Sequence, residues 1–193
     1  STLRRDYVFT LRTIEERPWP PGREPYVYVD DQILYLEETS ITHQHGKISV
    51  YLDDQLAYET EMHPVSTHAT FLGPWSYEGH WALALLDATK DAQDNWQPKE
   101  RVIIDGFELN ETMDYEQSFQ FLVLDERPFY FFQRDGKIGI FFDGLETDQG
   151  YDEIPHYNCC SPALLNPGYS MNMIWFFARR GEEWYYVEAY VSY

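Results

Sequence analysis

FYFFQRDGKIGIFFDG (residues 129–144) and IWFFARRGEEWYYVEA (residues 174–189) can be laid over one another position by position. Each has four apolar residues, a short polar turn with Arg134 or Arg179 ahead of Gly136 or Gly181, three apolar residues, then an acid and a small residue. These are the parts of a β-hairpin: two strands joined at a glycine able to take positive φ, the second strand ended by a polar turn. Two looser copies lie upstream. GKISVYLDDQLAYE (residues 46–59) parallels GKIGIFFDGLETDQ (residues 136–149), and RVIIDGFELNE (residues 101–111) has the same strand-then-Asp-Gly ending. Ahead of them ILYL (33–36) and WALALL (81–86) are candidate partner strands, and VYVDDQILY (27–35) echoes VYLDDQLAY (50–58). With Asp53, Asp105, Asp143 and Glu188 taken as equivalent, the spacings are 52, 38 and 45 residues, the size of a propeller blade.

The rest of the chain fits the same plan. Short β-branched and aromatic runs alternate with Gly, Pro, Asn and Asp, and helical periodicity is nearly absent. Strands are expected over 7–11, 26–29, 33–36, 47–52, 69–72, 80–86, 101–104, 119–124, 129–133, 138–142, 173–178 and 184–191. The expected architecture is all-β: about four repeated antiparallel hairpin or blade units, propeller-like or a twisted open β-sheet. They form a single domain over residues 26–193, preceded by an N-terminal strand and Pro-rich arm over 1–25. In RPWPPGREP (residues 17–25) four prolines withdraw backbone donors and fix an extended path. The arm is either a stiff surface connector or a strap that docks Trp19 on a neighbouring subunit.

The order "strand, Arg-Gly turn, strand ending in Asp-Gly, then a Tyr-Asp turn", as in GKIGIFFDGLETDQGYDEI (136–154) and RVIIDGFELNETMDYEQ (101–117), resembles the degenerate repeats of TolB-like and tryptophan-aspartate-type β-propellers. The resemblance covers residues 33–193. It departs from those families in lacking Gly-His and Trp-Asp dipeptides at regular places and in its uneven spacing. What it implies is a binding platform, with any enzymatic activity residing in another domain.

Composition narrows the functional classes. Across 193 residues, 14 basic and 33 acidic side chains give a formal charge of −19. Residues 1–25 carry five Arg against four acids, a net of +1, which leaves −20 on the remainder. So acidic a body repels phosphate backbones and anionic lipid, which argues against nucleic acid or membrane; cations or basic proteins suit it better. Acidity also keeps an aromatic-rich chain soluble. No run approaches the roughly 18 apolar residues of a membrane helix. Cys159 and Cys160 are adjacent and cannot make the spaced framework of a disulfide-stapled secreted domain. Ser1 with no basic-then-apolar leader is what Met removal would leave, an expectation of a cytoplasmic protein; a secreted chain with its leader removed would look the same.

Catalytic strings such as G-x-S-x-G, H-E-x-x-H, the P-loop and C-x-x-C are absent, so a non-enzyme is expected. His43 and His45 alternate along a strand and could share one divalent metal ion, with His63 and His68 completing the site; alternatively they are solvated turn residues. DATKDAQDN (residues 87–95) holds hard oxygen ligands, yet its spacing fits no standard calcium loop. No cofactor is expected. The chain has 16 Tyr, 12 Phe and 6 Trp, most of them expected in the core, with room among them for a sugar-stacking or protein-binding face. In WYYVEAYVSY (residues 184–193) aromatics fall on both alternating faces, so this strand is buried on both sides or forms an interface.

The functional expectation is a non-enzymatic binding or assembly module, a subunit of a homo-oligomer or larger complex. Its contacts would be Trp19, Trp184, Tyr186, Tyr190 and Tyr193. The alternative is a carbohydrate-binding or glycoside-hydrolysing propeller, which needs acids such as Asp105, Asp143 and Glu188 to converge with aromatics at one mouth.

Overall fold

A computed structural model describes residues 25–42, 45–63, 71–90, 94, 96–156 and 166–191. Trp19, His43, His68, Cys159, Cys160, Tyr193 and the strand expected over 7–11 lie outside the described residues.

The chain folds as four antiparallel sheets, each laid down in sequence order. The first contains β1 (Tyr26–Val29), β2 (Gln32–Thr42), β3 (His45–Leu52) and β4 (Gln55–Met62). The second contains β5 (Phe71–Tyr77), β6 (His80–Lys90), β7 (Trp96–Ile104) and β8 (Phe107–Glu108), followed by a one-turn helix, α1 (Leu109–Thr112). The third contains β9 (Gln117–Leu124), β10 (Arg127–Arg134), β11 (Lys137–Phe142) and β12 (Leu145–Tyr151). The fourth has, among the described residues, three strands: β13 (Gly168–Tyr169), β14 (Met173–Arg180) and β15 (Glu183–Tyr190). These are separate sheets stacked in series, not one continuous open sheet.

The two hairpins that decide the reading are present. Arg134 pairs with Lys137 around Gly136, and Arg180 pairs with Glu183 around Gly181. Both glycines sit at positive φ, 66° and 62°, where any Cβ is strained. The Asp turns recur as well. Asp53, Asp105 and Asp143 adopt φ of 46°, 50° and 50° at the turn after the third strand of their sheets. Their amides donate to the carbonyls of Ile33, Trp81 and Pro128 at the start of the second strand. In two of them the carboxylate completes the bracket, accepting the N–H of Ile33 at 2.9 Å and of Trp81 at 3.0 Å. At Asp143 the facing residue is Pro128, which has no N–H, and Arg127 supplies the bond at 2.6 Å instead. Glu188 does not belong to this set. It lies inside β15 opposite Trp175, in the run of the strand and not at a turn.

Each sheet is apolar on the face or faces it turns to a neighbour, since period-two alternation sends successive side chains to opposite sides. Three cores result. Val29, Leu34, Ile48 and Val50 of the first sheet meet Trp81, Leu83, Leu85 and Ile103 of the second. The opposite face of the second sheet is small, with Ala82, Ala84 and Val102, and it receives Phe121, Tyr130 and Phe132 from the third. Phe119, Phe129 and Phe131 on the other side of the third sheet pack on Ile174, Phe176 and Ala178 of the fourth. No core joins the first sheet to the fourth among the described residues. Among the described residues, the outermost faces of the stack are therefore the surfaces without a neighbouring sheet.

Candidate functional site

The outer face of the fourth sheet is built by β14 and β15. Their register pairs Arg179 with Trp184, Phe177 with Tyr186, Trp175 with Glu188 and Met173 with Tyr190, all directed away from the third sheet. Phe177, Trp184, Tyr186 and Tyr190 are 53%, 54%, 55% and 70% exposed. On the inner face Ile174, Phe176 and Ala178 are fully buried, so the sheet itself is firmly held.

Local bonding fixes the platform. Asn166 uses its side-chain amide as a substitute strand: its Oδ1 accepts the Phe177 N–H at 2.7 Å, and its Nδ2 donates to the Phe177 carbonyl at 3.2 Å and to Pro155 at 2.6 Å. Further along, Arg179 exchanges main-chain bonds with Asp152 and Glu153, and its Nε reaches the Glu153 carboxylate at 3.0 Å. Trp175 lies flat over Gly168; a Cβ there would meet the indole nitrogen at 2.4 Å. Phe177 and Tyr186 rings are 5.3 Å apart and tilted by 52°. The phenol of Tyr186 is held above its ordinary pKa by partial burial and by the neighbouring Glu188 carboxylate, so it is a hydrogen-bond donor at neutral pH. The face thus offers four large exposed aromatic rings, the phenol hydroxyls of Tyr186 and Tyr190, and a rim holding Glu188 and Arg179. Such a surface suits a protein partner, because Tyr and Trp give large contact area at low entropic cost.

Of the residues expected as contacts, Trp184, Tyr186 and Tyr190 are brought onto this one face, while Trp19 and Tyr193 are outside the described residues. Phe177 and Trp175 were not anticipated. The signal was in MIWFFARR (173–180), whose alternation puts Trp175 and Phe177 opposite Ile174 and Phe176.

The other candidate sites are less assembled. His45 and His63 stack at 5.2 Å and His45 bonds Glu61 at 3.0 Å, but His43 and His68 are not described, and among the described residues no group of three His, Cys, Asp or Glu side chains is placed to hold an ion. Asp87 is engaged within β6, accepting the amides of His63 and Ala88 and pairing with Arg101 at 2.9 Å. Lys90 takes Asp94 at 2.6 Å, as a solvated hairpin loop would. A cleft of about 480 Å³ opens where the turns after β1, β5 and β9 meet, lined by Tyr28, Ser76, Tyr77 and the acids Asp30, Glu78 and Glu126. No helix among the described residues is long and apolar enough to cross a membrane.

Neither a family model, a curated protein nor a solved structure matches this chain.

Proposed function

We propose that this protein is a non-enzymatic assembly module that associates with a second copy of itself through the outer aromatic face of its fourth sheet. The observation that carries this reading is the alignment of Phe177, Trp184, Tyr186 and Tyr190, each more than half exposed, on one rigidly held face. The three internal cores illustrate how such faces are covered elsewhere in the same molecule: by another sheet.

Magnitudes support a contact of moderate strength. If each of the eight rings from two copies buries roughly a further 50 Å², the gross gain is on the order of 10 kcal/mol. The entropic cost of association is of similar size. A small number of extra bonds, such as that of the Tyr186 hydroxyl, then decides the affinity. With −19 on each chain, repulsion between copies opposes the contact and is screened by salt.

The four stacked sheets are read as blades of a propeller-like platform, as the resemblance to TolB-like repeats implies, and the setting as cytoplasmic. Carbohydrate hydrolysis is less well supported. Asp105 is bonded to Trp81 and His80, Asp143 pairs with Arg127, and both complete their own turns.

The test is light scattering over a concentration series at low and high salt, on the native chain and on Trp184→Ser/Tyr186→Ser. The native chain should form dimers or higher oligomers, more readily at high salt, and the double variant should be monomeric. A native chain that stays monomeric at millimolar concentration and high salt refutes the proposal.

A further inference from the structure

The turns that join first to second strands in the first three sheets, at residues 30–31, 78–79 and 125–126, come together at one end of the stack. β1 lies beside β5 and β5 beside β9, which brings these turns to one place. Gly79 sits against Asp30, where a Cβ would meet the carboxylate at 3.1 Å. The third turn is held from its other side, because the Asp125 N–H donates to the Met171 carbonyl of the fourth sheet at 2.7 Å. Between the turns lies the cleft of about 480 Å³, a size that suits a small ligand. Each turn gives it one acid: Asp30, Glu78 and Glu126, held at φ of 51°, 46° and 65°. No Lys or Arg is among the lining residues. The basic groups that follow two of the turns, His80 and Arg127, are engaged by Asp105 at 2.5 Å and Asp143 at 2.6 Å.

A second observation points to a ligand. Tyr77 lines the same cleft with its side chain 9% exposed, its ring packed between His80 and Phe121. Among the described residues nothing hydrogen-bonds its hydroxyl, yet the hydroxyl is not sealed from solvent, so its opening is the cleft. Buried phenols ordinarily have a partner. Burial, with Asp105 and Glu78 close by, holds this phenol above its ordinary pKa, so at neutral pH it both donates and accepts. The chemistry of the ligand follows from the spacing of the acids. Among the described residues no three such side chains are placed to share one metal ion, so the complement is a molecule whose positive charges are themselves spaced apart. Val29, Val123 and the Tyr28 ring form apolar wall between the acids, suited to methylene chains and to ammonium groups lying on an aromatic face. We propose that the cleft binds a linear aliphatic polyamine, its ammonium groups facing Asp30, Glu78 and Glu126 and one of them donating to the Tyr77 hydroxyl. This site belongs to the first three sheets and stands independently of the self-association assigned to the outer face of the fourth.

The test is isothermal titration calorimetry of spermidine into the full native chain at about 0.15 M salt, where diffuse attraction to a charge of −19 is largely screened. Spermidine should saturate a single site per chain. Glu78→Gln/Glu126→Gln, at two exposed positions that tolerate the change, should weaken binding about fivefold or more. Tyr77→Phe, which removes only the hydroxyl, should weaken it about threefold or more. Glu111→Gln/Glu182→Gln removes the same charge outside the cleft and should leave the affinity unchanged. Absence of saturable binding in the native chain overturns the proposal. So does equal weakening by the two Gln pairs, which would mark attraction to the whole acidic surface, and so does a Tyr77→Phe affinity equal to native. A tetralysine peptide that displaces spermidine at a lower concentration of charge would assign the cleft to a basic peptide and equally overturn it.

Discussion

Replacing Glu100 by Gln should stabilise the protein increasingly as the pH rises. Glu100 sits on β7, 3% exposed, turned towards the third sheet. One carboxylate oxygen accepts the Gln120 amide at 2.8 Å, and the other has no hydrogen-bond partner. The adjacent Arg101 points to the opposite face, where Asp87 and Glu108 engage it at 2.9 and 2.8 Å. Burial without a counter-charge pushes the Glu100 carboxyl from 4.5 up to about 8. The folded state therefore holds a proton that the unfolded chain releases above pH 4.5, so stability falls as pH rises from 4.5 towards 8 and levels off beyond it. At about 1.4 kcal/mol per unit, three units between 4.5 and pH 7.5 correspond to about 4 kcal/mol, an upper value. Gln keeps the acceptor for the Gln120 amide and does not titrate. Urea unfolding followed by tryptophan fluorescence at pH 5, 6, 7 and 8 measures the difference directly. Near pH 5 the two proteins should agree within about 1 kcal/mol, and by pH 7.5 Glu100→Gln should be more stable by about 2–4 kcal/mol. His156, whose pKa burial lowers, is common to both and cancels. A difference that stays flat across this range would refute the reasoning.

Two further substitutions probe the packing and the turns. A Cβ on Gly139 would lie 2.5 Å from the Phe132 ring and 2.9 Å from the Thr147 carbonyl, so Gly139→Ala should lose about 1–3 kcal/mol and melt several degrees lower in a calorimeter. Asp53 combines φ of 46° with a side-chain bond to Ile33, so Asp53→Ala should lose about 1–2 kcal/mol and Asp53→Gly less, because glycine accepts the backbone angle; chemical denaturation giving the reverse order would contradict the turn assignment.

What could be read from the sequence follows sheet position. Second and third strands are flanked on both sides and buried, so their apolar runs stand out: WALALL lies within β6, FYFF within β10 and the Ile138–Phe142 run within β11. The fourth strands were missed. QLAYETEM of β4 is mostly exposed, LETDQGY of β12 reads as a turn, and β8 has two residues. A strand with one neighbour and water on its other side carries no hydrophobic period to detect. β5 was cut short at Leu72 because Gly73-Pro74 reads as a breaker, yet a register shift between Leu72 and Trp75 absorbs the pair and the strand runs to Tyr77. Glu188 was placed with the turn acids by alignment alone, whereas it pairs with Trp175 inside β15. At the candidate site the aromatic carboxyl end was legible, since Trp184, Tyr186 and Tyr190 share a parity. Phe177 was read only as part of the expected strand over 173–178, because hydrophobicity without a known partner sheet does not say which of two faces is covered.

The most direct test of the assembly account is hydroxyl-radical footprinting of the native protein at high concentration and after dilution. Met171 and Phe107, 87% and 65% exposed, serve as references remote from or beside the outer face of β14 and β15. The account predicts that Phe177, Trp184, Tyr186 and Tyr190 oxidise several-fold more slowly in the concentrated sample and regain their intrinsic rates on dilution, while Phe107 does not change. Equal rates for these four rings at both concentrations would contradict it.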